Sequence, residues 1–388
     1  MEQAVAGGGA AKPEMRRAVL AATVGNALEF YDFITFAFFA IQIGKTFFPS
    51  DDPFVSLMGS LATFGAGFIS RPLGAYFIGG YADRHGRKPA MLFSMTLMGI
   101  AIAVMALTPG YATIGVAAPV IVVLARVAQG FALGGEVGSA TTYMIEAAAD
   151  DRRGLTISWQ GVSQNIAAST GALVGLLLSM GMSEAELTAY GWRIALLLGT
   201  VIVPFALYIR RSLPEPLAQA GEAPPTGEGR SGVGRIAVIG MAIMGTLTIT
   251  TYIFNYMATF GQNTLKLSAI LSMAGELANN GIGIFGVLLG GWASDFLGRR
   301  PVMLAAQAVV VLSVIPCFAW LIAERDAVAF IGANLILSFA SALVSAPVYA
   351  AIAENLPPAN RARGFALIYS LPVTVLGGTT QLVVTWIL

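Results

Sequence analysis

The sequence predicts an all-α protein that crosses a membrane many times. Of its 388 residues, 56% are hydrophobic and only 11% are charged, whereas soluble domains carry roughly a quarter charged residues. Apolar runs long enough to cross a bilayer recur along the chain, and about 33 residues for each crossing and its connection allow about eleven to twelve crossings. Composition and length together therefore exclude a water-soluble fold.

Eleven helices follow from the apolar runs that end at charges, prolines or glycines. They are expected at residues 18–47, 55–82, 89–108, 117–145, 155–180, 191–209, 236–260, 268–294, 301–322, 327–352 and 363–388. The polar, basic segment 1–17 has no cleavage site after it, so we interpret it as an uncleaved cytoplasmic tail. Because the eleventh helix ends abruptly at Leu388, we expect a twelfth helix to be missing from this chain.

The distribution of Lys and Arg predicts the orientation. With the N-terminus in the cytoplasm, sixteen basic residues fall in cytoplasmic segments and four fall outside. The four are Lys45, Arg193, Lys266 and Arg325. Since cytoplasmic loops collect basic residues, we expect this orientation in a bacterial cytoplasmic (inner) membrane. The two remaining arginines, Arg71 and Arg126, lie inside apolar runs and need a separate explanation.

Charge, cysteine and histidine counts exclude several function classes. The 22 basic and 21 acidic residues nearly balance, so no excess of positive charge is available to hold a nucleic acid. Cys317 is the only cysteine and His85 the only histidine, which rules out an intrachain disulfide and a Cys/His metal centre. No Ser/His/Asp set can be built around His85, and no P-loop is present. We therefore expect neither an enzyme nor a bound cofactor.

A polar stretch divides the chain into two parts. Residues 210–235 contain four prolines and several glycines and cannot pack a core of their own. We interpret them as a cytoplasmic linker. We expect residues 18–209 to form one six-helix bundle and residues 236–388 to form a second, of which five helices are present.

The two halves are similar in sequence. The segment 79–89 (GGYADRHGRKP) recurs as 291–301 (GWASDFLGRRP), with Asp83 and Asp295 separated by 212 residues. Glu146 and Glu354 form a second pair at an offset of 208 residues, and each is followed by an Arg-Gly pair. Two matches at nearly one offset indicate a duplicated unit, as in transporters built from parallel repeats.

The pattern G-x-x-x-D-x-x-G-R-[K/R] at both positions resembles the loop signature of the major facilitator superfamily. Residues 25–33 (GNALEFYDF), 126–136 (RVAQGFALGGE) and 191–193 (GWR) resemble the metabolite–proton symporter family within it. Residues 45–49 (KTFFP) and 109–115 (PGYATIG) look most like citrate and tricarballylate symporters. The resemblance implies two pseudo-symmetric six-helix bundles that alternate access to a central site, with H⁺ as the coupling ion. We expect a monomer surrounded by the lipid bilayer.

Six charged residues lie at predicted membrane depth, where charges usually face a cavity or a partner. They are Glu29, Asp32, Arg71, Arg126, Glu136 and Glu276. One interpretation assigns Arg126 and Arg71 to substrate carboxylates, because a guanidinium offers a fork of donors. Glu29, Asp32 or Glu136 would then carry the coupling proton. Alternatively, these charges pair with one another and only hold the helices together.

Neutral polar side chains extend the predicted substrate site. They are Asn26, Gln129, Gln164, Tyr252, Asn255 and Tyr256. The last three are spaced i, i+3, i+4 and share one helix face, which suits hydrogen bonding to hydroxyl and carboxyl groups across a cavity. Helix packing is the alternative, since small polar residues also join helices in bilayers.

The repeated loop signature predicts a gate in each half. The candidate gating residues are Asp83, Arg87, Glu146, Asp295, Arg299 and Glu354. Each aspartate is expected to accept hydrogen bonds from a helix N-terminus or an arginine, and each arginine to reach a glutamate. In the alternative interpretation, the basic residues only set the topology.

These observations lead to one leading functional hypothesis. The chain is expected to be a secondary transporter that moves a small organic anion, a di- or tricarboxylate such as citrate, together with protons. A zwitterion such as proline or betaine is an alternative substrate, which would need aromatic cation-binding surfaces more than arginines. A non-transporting membrane sensor on the same scaffold is the second alternative.

Overall fold

The computed structural model describes residues 23–24, 26–27, 30–32, 35–36, 38–211, 230–257, 260–261 and 264–387. Within these ranges the regular secondary structure is entirely helical. The predicted all-α class is therefore confirmed. Glu29 and most of the predicted linker lie outside the described residues.

The described part of the first half of the chain, up to residue 211, contains seven helices of eight residues or more. They are α1 Ala40–Phe47, α2 Pro53–Ile69, α3 Arg71–His85, α4 Arg87–Leu107, α5 Ala117–Ala147, α6 Arg153–Gly181 and α7 Trp192–Arg211. Described residues of 23–38 are also helical and precede α1 in the predicted first helix.

The second half contains six helices of eight residues or more in its described part. They are α8 Arg230–Asn255, α9 Ala269–Leu297, α10 Arg299–Glu324, α11 Ala327–Asn355, α12 Arg361–Pro372 and α13 Gly378–Ile387. Helix α8 begins at Arg230, inside the stretch that the sequence assigns to the linker.

Two predicted helices are interrupted, and a proline explains each interruption. The predicted helix 55–82 divides at Ser70, because Pro72 has no N–H to donate to the carbonyl of Phe68. That carbonyl accepts a hydrogen bond from the Thr374 hydroxyl at 2.8 Å instead. The predicted helix 363–388 contains a π-helical segment, Val373–Gly377, directly after Pro372.

Six of the described helices are both long and apolar enough to cross a membrane. They span Arg87–Leu107, Ala117–Ala147, Asp150–Leu178, Gly234–Phe254, Arg299–Glu324 and Ala327–Asn355. At the other five predicted crossings, the described residues form helices that are too short or not apolar enough.

Close helix packing holds the arginine-bearing helices in place. Helices α3 and α5 pack against each other, and a Cβ at Gly134 would clash with the backbone carbonyl of Arg71. The second half meets the first where α9 packs along α6. There a Cβ at Gly291 would lie only 2.5 Å from the carbonyl oxygen of Gly154. Small residues at these crossings are what allow the backbones to come this close.

Candidate functional site

A charged cluster lies buried between the first helix and α5. Asp32 and Arg126 are each 1% exposed, and their nearest charged atoms are 3.8 Å apart. Gln129, one turn after Arg126, joins them: its amide nitrogen donates to Asp32 at 2.7 Å and its amide oxygen accepts from Arg126 at 2.6 Å. The second carboxylate oxygen of Asp32 has no hydrogen-bond partner among the described residues.

Aromatic rings surround the Arg126 guanidinium. Its central carbon lies 4.3 Å from the ring centroid of Phe36 and 5.2 Å from that of Phe64. The two rings are stacked at 6.1 Å. Cation–π attraction stabilises a desolvated guanidinium in such a position. Residues of the first helix, α2 and α5 therefore stabilise the charged guanidinium of Arg126 and hold it in one orientation.

Arg71, at the start of α3, connects this cluster to the second half of the chain. It is 2% exposed, and its guanidinium carbon lies 4.2 Å from the ring centroid of Phe68. It lies within electrostatic range of the Tyr252 hydroxyl and of Arg126. Tyr252 also packs edge-on against Phe68, with ring centroids 5.9 Å apart.

Two tyrosines that the sequence analysis did not assign complete this side of the cluster. Tyr369 lies within electrostatic range of Arg71 and of Tyr349. Their ring centroids are 6.1 Å apart. The available signal was one tyrosine in each of two predicted membrane helices, α11 and α12. Nothing in the sequence of α12 reveals that Tyr369 lies near Arg71.

Several predicted site residues make other contacts. Asn26 donates to the hydroxyl of Ser163 at 2.6 Å and thereby joins the first helix to α6. Glu136 accepts a 2.5 Å hydrogen bond from Ser94 on α4. Gln164 is half-buried on α6. Tyr256 is buried in a separate apolar cluster with Met257 and Phe260.

The remaining two predicted site residues are not placed. Asn255 is the last residue of α8, but its side chain lies outside the described part of the structure. Glu29 lies wholly outside it. The structure thus brings together five of the predicted residues, namely Asp32, Arg71, Arg126, Gln129 and Tyr252.

The predicted gating residues of the first half form one connected network. Arg87 contacts Asp83 at 2.5 Å and binds both carboxylate oxygens of Glu146, at 3.0 and 3.2 Å. Asp83 also accepts hydrogen bonds from the backbone amides of Ala362 and Arg363, at 3.1 and 3.0 Å. These amides belong to the first turn of α12, where a carboxylate is favoured by the helix dipole.

The second half repeats this network. Arg299 contacts Asp295 at 2.6 Å and binds both carboxylate oxygens of Glu354, at 2.8 and 3.3 Å. Asp295 accepts hydrogen bonds from the backbone amides of Gly154 and Leu155, at 2.8 and 2.9 Å. Each aspartate therefore caps a helix of the other half. We call the end of the molecule that carries both networks the latch end.

The central cluster combines three chemical properties. Its described residues carry two guanidinium groups and one carboxylate, which favours an anion as the occupant. Asp32 is a group that can gain or lose a proton beside an anion-binding guanidinium. Arg71 and Tyr252 place the cluster in contact with both halves. The arrangement therefore suits an anion and a proton that bind together between the two halves.

Comparison with known proteins agrees with this architecture. A citrate-proton symporter of Salmonella typhi is 36% identical over 374 residues, covering 95% of this chain and 86% of that protein. The alpha-ketoglutarate permease of Escherichia coli K12 is 34% identical over 381 residues, covering 94% and 86%. Among solved structures, the proton:xylose symporter XylE superposes with a TM-score of 0.81 at 16% identity, covering 97% of this chain and 90% of XylE.

The sequence profile of the Major Facilitator Superfamily matches residues 22–371, which is most of the chain. Both the fold and the repeated latch networks are consistent with that match. The chain therefore belongs to the Major Facilitator Superfamily.

Proposed function

We propose that this transporter is a symporter that moves a small di- or tricarboxylate, such as citrate, together with protons. One observation carries the proposal: a buried carboxylate, Asp32, lies 3.8 Å from a buried guanidinium, Arg126, and both are joined through Gln129. An anion-binding group and a proton-binding group therefore act within one hydrogen-bonded unit. Superfamily membership makes the protein a transporter and not an enzyme.

Charge balance explains why the proton and the anion bind together. A substrate carboxylate at Arg126 adds a negative charge beside Asp32 in a buried site. A proton on Asp32 removes one. Because the two events together leave the net charge unchanged, each favours the other, and reciprocal coupling of this kind is a thermodynamic requirement.

Arg71 links substrate binding to the movement of the halves. The Tyr252 hydroxyl of the second half lies within electrostatic range of Arg71, so the two halves meet at the level of the site. A substrate carboxylate that binds Arg71 replaces or extends this contact, so occupancy alters an interface between the halves. The hydroxyls of Tyr252 and Tyr369 can donate to substrate oxygens, which suits a hydroxylated polycarboxylate better than a simple apolar anion.

The orientation follows from the basic residues at the latch end. Arg84, Lys88, Arg153, Arg300 and Arg363 lie there beside the two networks. We assign this end to the cytoplasm, since basic residues concentrate on that side of bacterial membrane proteins. The structure then corresponds to a state with the cytoplasmic gate closed. We further assign the functional unit as a monomer in the inner membrane, with its N-terminus in the cytoplasm.

A zwitterionic substrate fits the site less well. Quaternary or secondary ammonium groups are recognised by open aromatic faces. The rings of Phe36, Phe64 and Phe68 already contact the guanidinium groups of Arg126 and Arg71. These contacts favour an anion over proline or betaine.

Uptake into proteoliposomes tests the proposal. Labelled citrate is added with and without an inwardly directed proton gradient, with unlabelled malate, tricarballylate, alpha-ketoglutarate, proline and betaine as competitors. We expect gradient-dependent accumulation that only the carboxylates inhibit. Inhibition by proline or betaine without citrate transport would overturn the substrate class. Specific citrate binding without any flux would instead identify a sensor.

A further inference from the structure

Glu276 in α9 is a buried carboxylate that the central cluster does not use. It is 9% exposed. One of its oxygens accepts a weak hydrogen bond from the Asn280 side chain at 3.4 Å, and the Asn279 side chain lies near the carboxylate. Its other oxygen, Oε2, has no hydrogen-bond partner in the part of the chain that the structure describes. A buried carboxylate with so few donors is costly when charged.

The helices packed against α9 supply no cation at this depth. Helix α9 packs against α6, α10 and α11. The sequence contains no charged residue at positions 154–183, 301–323 or 327–353, and their other titratable side chains are those of Cys317 and Tyr349. This distinguishes Glu276 from Asp32, which lies next to Arg126.

The charged groups nearest in sequence lie at the helix ends. Asp326 is acidic and caps α11 through the amide of Ala329 at 2.7 Å. Lys266, in the connection before α9, is exposed. The short helix Asp150–Arg152, with Arg153 after it, contacts α9 at the latch end. The same end of α9 carries Asp295, and Arg299 follows it. Glu276 is 19 residues from Asp295, about 28 Å along the helix.

The position of Glu276 connects it to the interface between the halves. On α9, Gly291, Val287 and Gly283 contact α6 at Gly154, Gly161 and Asn165 in turn. Glu276 and Asn280 continue the same stripe at helical spacing, at the end of the α6–α9 interface away from the latch. The latch closes one end of this interface, and Glu276 lies towards the other.

We propose that Glu276 is a second proton-binding site, which controls the end of the α6–α9 interface opposite the latch. The inference rests on the proposed function, because it adds a proton to the transport cycle. The carboxylate takes one proton from the aqueous phase, and no other bond changes. Neutral Glu276 stays buried between the halves, whereas ionised Glu276 requires water and therefore favours opening of this end.

Infrared spectroscopy of the purified protein tests protonation directly, without substrate. Difference spectra between acidic and alkaline buffer report the C=O stretch of protonated carboxyl groups. We expect one buried, titrating carboxyl band to disappear in Glu276→Gln and to shift in Glu276→Asp. Asp32→Asn serves as the matched control and should leave that band in place. An unchanged band pattern in Glu276→Gln would overturn the proposal.

Transport stoichiometry tests the role of the proton. In proteoliposomes, Glu276→Gln should retain citrate counterflow but lose one transported proton per substrate. At a pH gradient of one unit and no membrane potential, its maximal accumulation ratio should fall about tenfold, the ratio equivalent to one proton across one pH unit. Unchanged accumulation in Glu276→Gln would overturn the proton assignment. So would sodium-dependent accumulation by the wild-type protein that Glu276→Gln abolishes.

The two experiments separate this inference from the proposed function. If wild-type protein accumulates no carboxylate, the proposed function fails, while the infrared band still decides whether Glu276 titrates. Elution as a single species in size exclusion and an unchanged unfolding midpoint establish that Glu276→Gln is folded. Should Glu276→Gln not fold, Glu276→Asp provides the readout, since it keeps the acid and shifts the band.

Discussion

Asp83 and Asp295 occupy equivalent positions in the two halves, and each caps the first turn of a helix that belongs to the other half. Asp83 accepts from the amides of α12, and Asp295 accepts from those of α6. Each is also bound by the arginine four residues later. The duplicated sequence therefore builds reciprocal contacts between the halves at two symmetric points of the latch end.

Weakening the latch should expose the interface behind it. Asp295→Asn keeps the shape of the side chain but removes the charge that binds two amides and Arg299. We expect the closed state to lose about 1–3 kcal/mol, which corresponds to a population shift of roughly 5- to 150-fold. Labelling of a cysteine at Ser158, which is fully buried on α6 near Gly291, measures this opening in a Cys317→Ala background.

The control for this experiment is an exposed ion pair near the same end. Asp150 contacts Arg153 at 2.6 Å, but its side chain is 90% exposed. Exposed pairs contribute little, so Asp150→Asn should leave the labelling rate of Ser158→Cys unchanged. Asp83→Asn should increase the rate as Asp295→Asn does. If the labelling rate is equal in all variants, the latch residues do not stabilise the closed state and only set the topology.

Arg126 should require its guanidinium geometry as well as its charge. Arg126→Lys keeps the positive charge but cannot bond Gln129 and a substrate carboxylate as a planar fork does. We expect the concentration of citrate at half-maximal uptake to rise at least about tenfold, which corresponds to a loss of ~1.4 kcal/mol. Arg71→Lys should weaken binding in the same direction.

A lysine replacement elsewhere distinguishes substrate binding from helix pairing. Arg193 is partly buried and donates to the backbone carbonyls of Ala106 and Thr108, at 2.6 and 2.7 Å. Arg193→Lys should lower stability without changing citrate affinity. If Arg126→Lys and Arg193→Lys behave alike, Arg126 only holds helices together.

Asp32 should carry the coupling proton. Asp32→Asn cannot exchange a proton at this position, so gradient-driven accumulation of citrate should be lost while citrate exchange between the two sides persists. Glu136→Gln keeps an acceptor for the Ser94 hydroxyl and should leave accumulation intact. Measurements of accumulation and counterflow in the same vesicles separate the two effects. Normal accumulation in Asp32→Asn would redirect the assignment to Glu29 or Glu136.

Part of this architecture is predictable from sequence because it depends on local patterns. Apolar run length predicts the helices, and the repeated loop signature predicts which residues of the latch pair with one another. The break at Ser70 is less visible, although Pro72 causes it. Its consequence, the hydrogen bond from Thr374 to the carbonyl of Phe68, joins residues about 300 positions apart and depends on how the halves pack.

The central cluster is likewise only partly predictable from the sequence. Arg126 and Gln129 share a helix face, so their contact follows from spacing. Tyr349 and Tyr369 were missed because only tertiary packing brings Tyr369 towards Arg71 and Tyr349 towards Tyr369 and Tyr252. Tyr252 and Tyr256 are one turn apart, yet one joins the cluster and the other an apolar core. Helical spacing alone does not distinguish two neighbours on a broad face.

That difference between two tyrosines of one helix gives a sharp test of the site. Tyr252→Phe removes the hydroxyl that lies within electrostatic range of Arg71 while keeping the ring that packs edge-on against Phe68. We expect citrate affinity to fall about fivefold, because the proposed hydrogen bond from the Tyr252 hydroxyl to a substrate carboxylate, worth about 1 kcal/mol, is lost. Tyr256→Phe is the matched control on the same helix. Its citrate affinity should stay within about twofold of wild type, since a substitution away from the site has only a small effect. Citrate uptake over a concentration series measures both variants. If the two substitutions have equal effects, Tyr252 does not contact the substrate-binding cluster, and the second half must bind the anion through other residues.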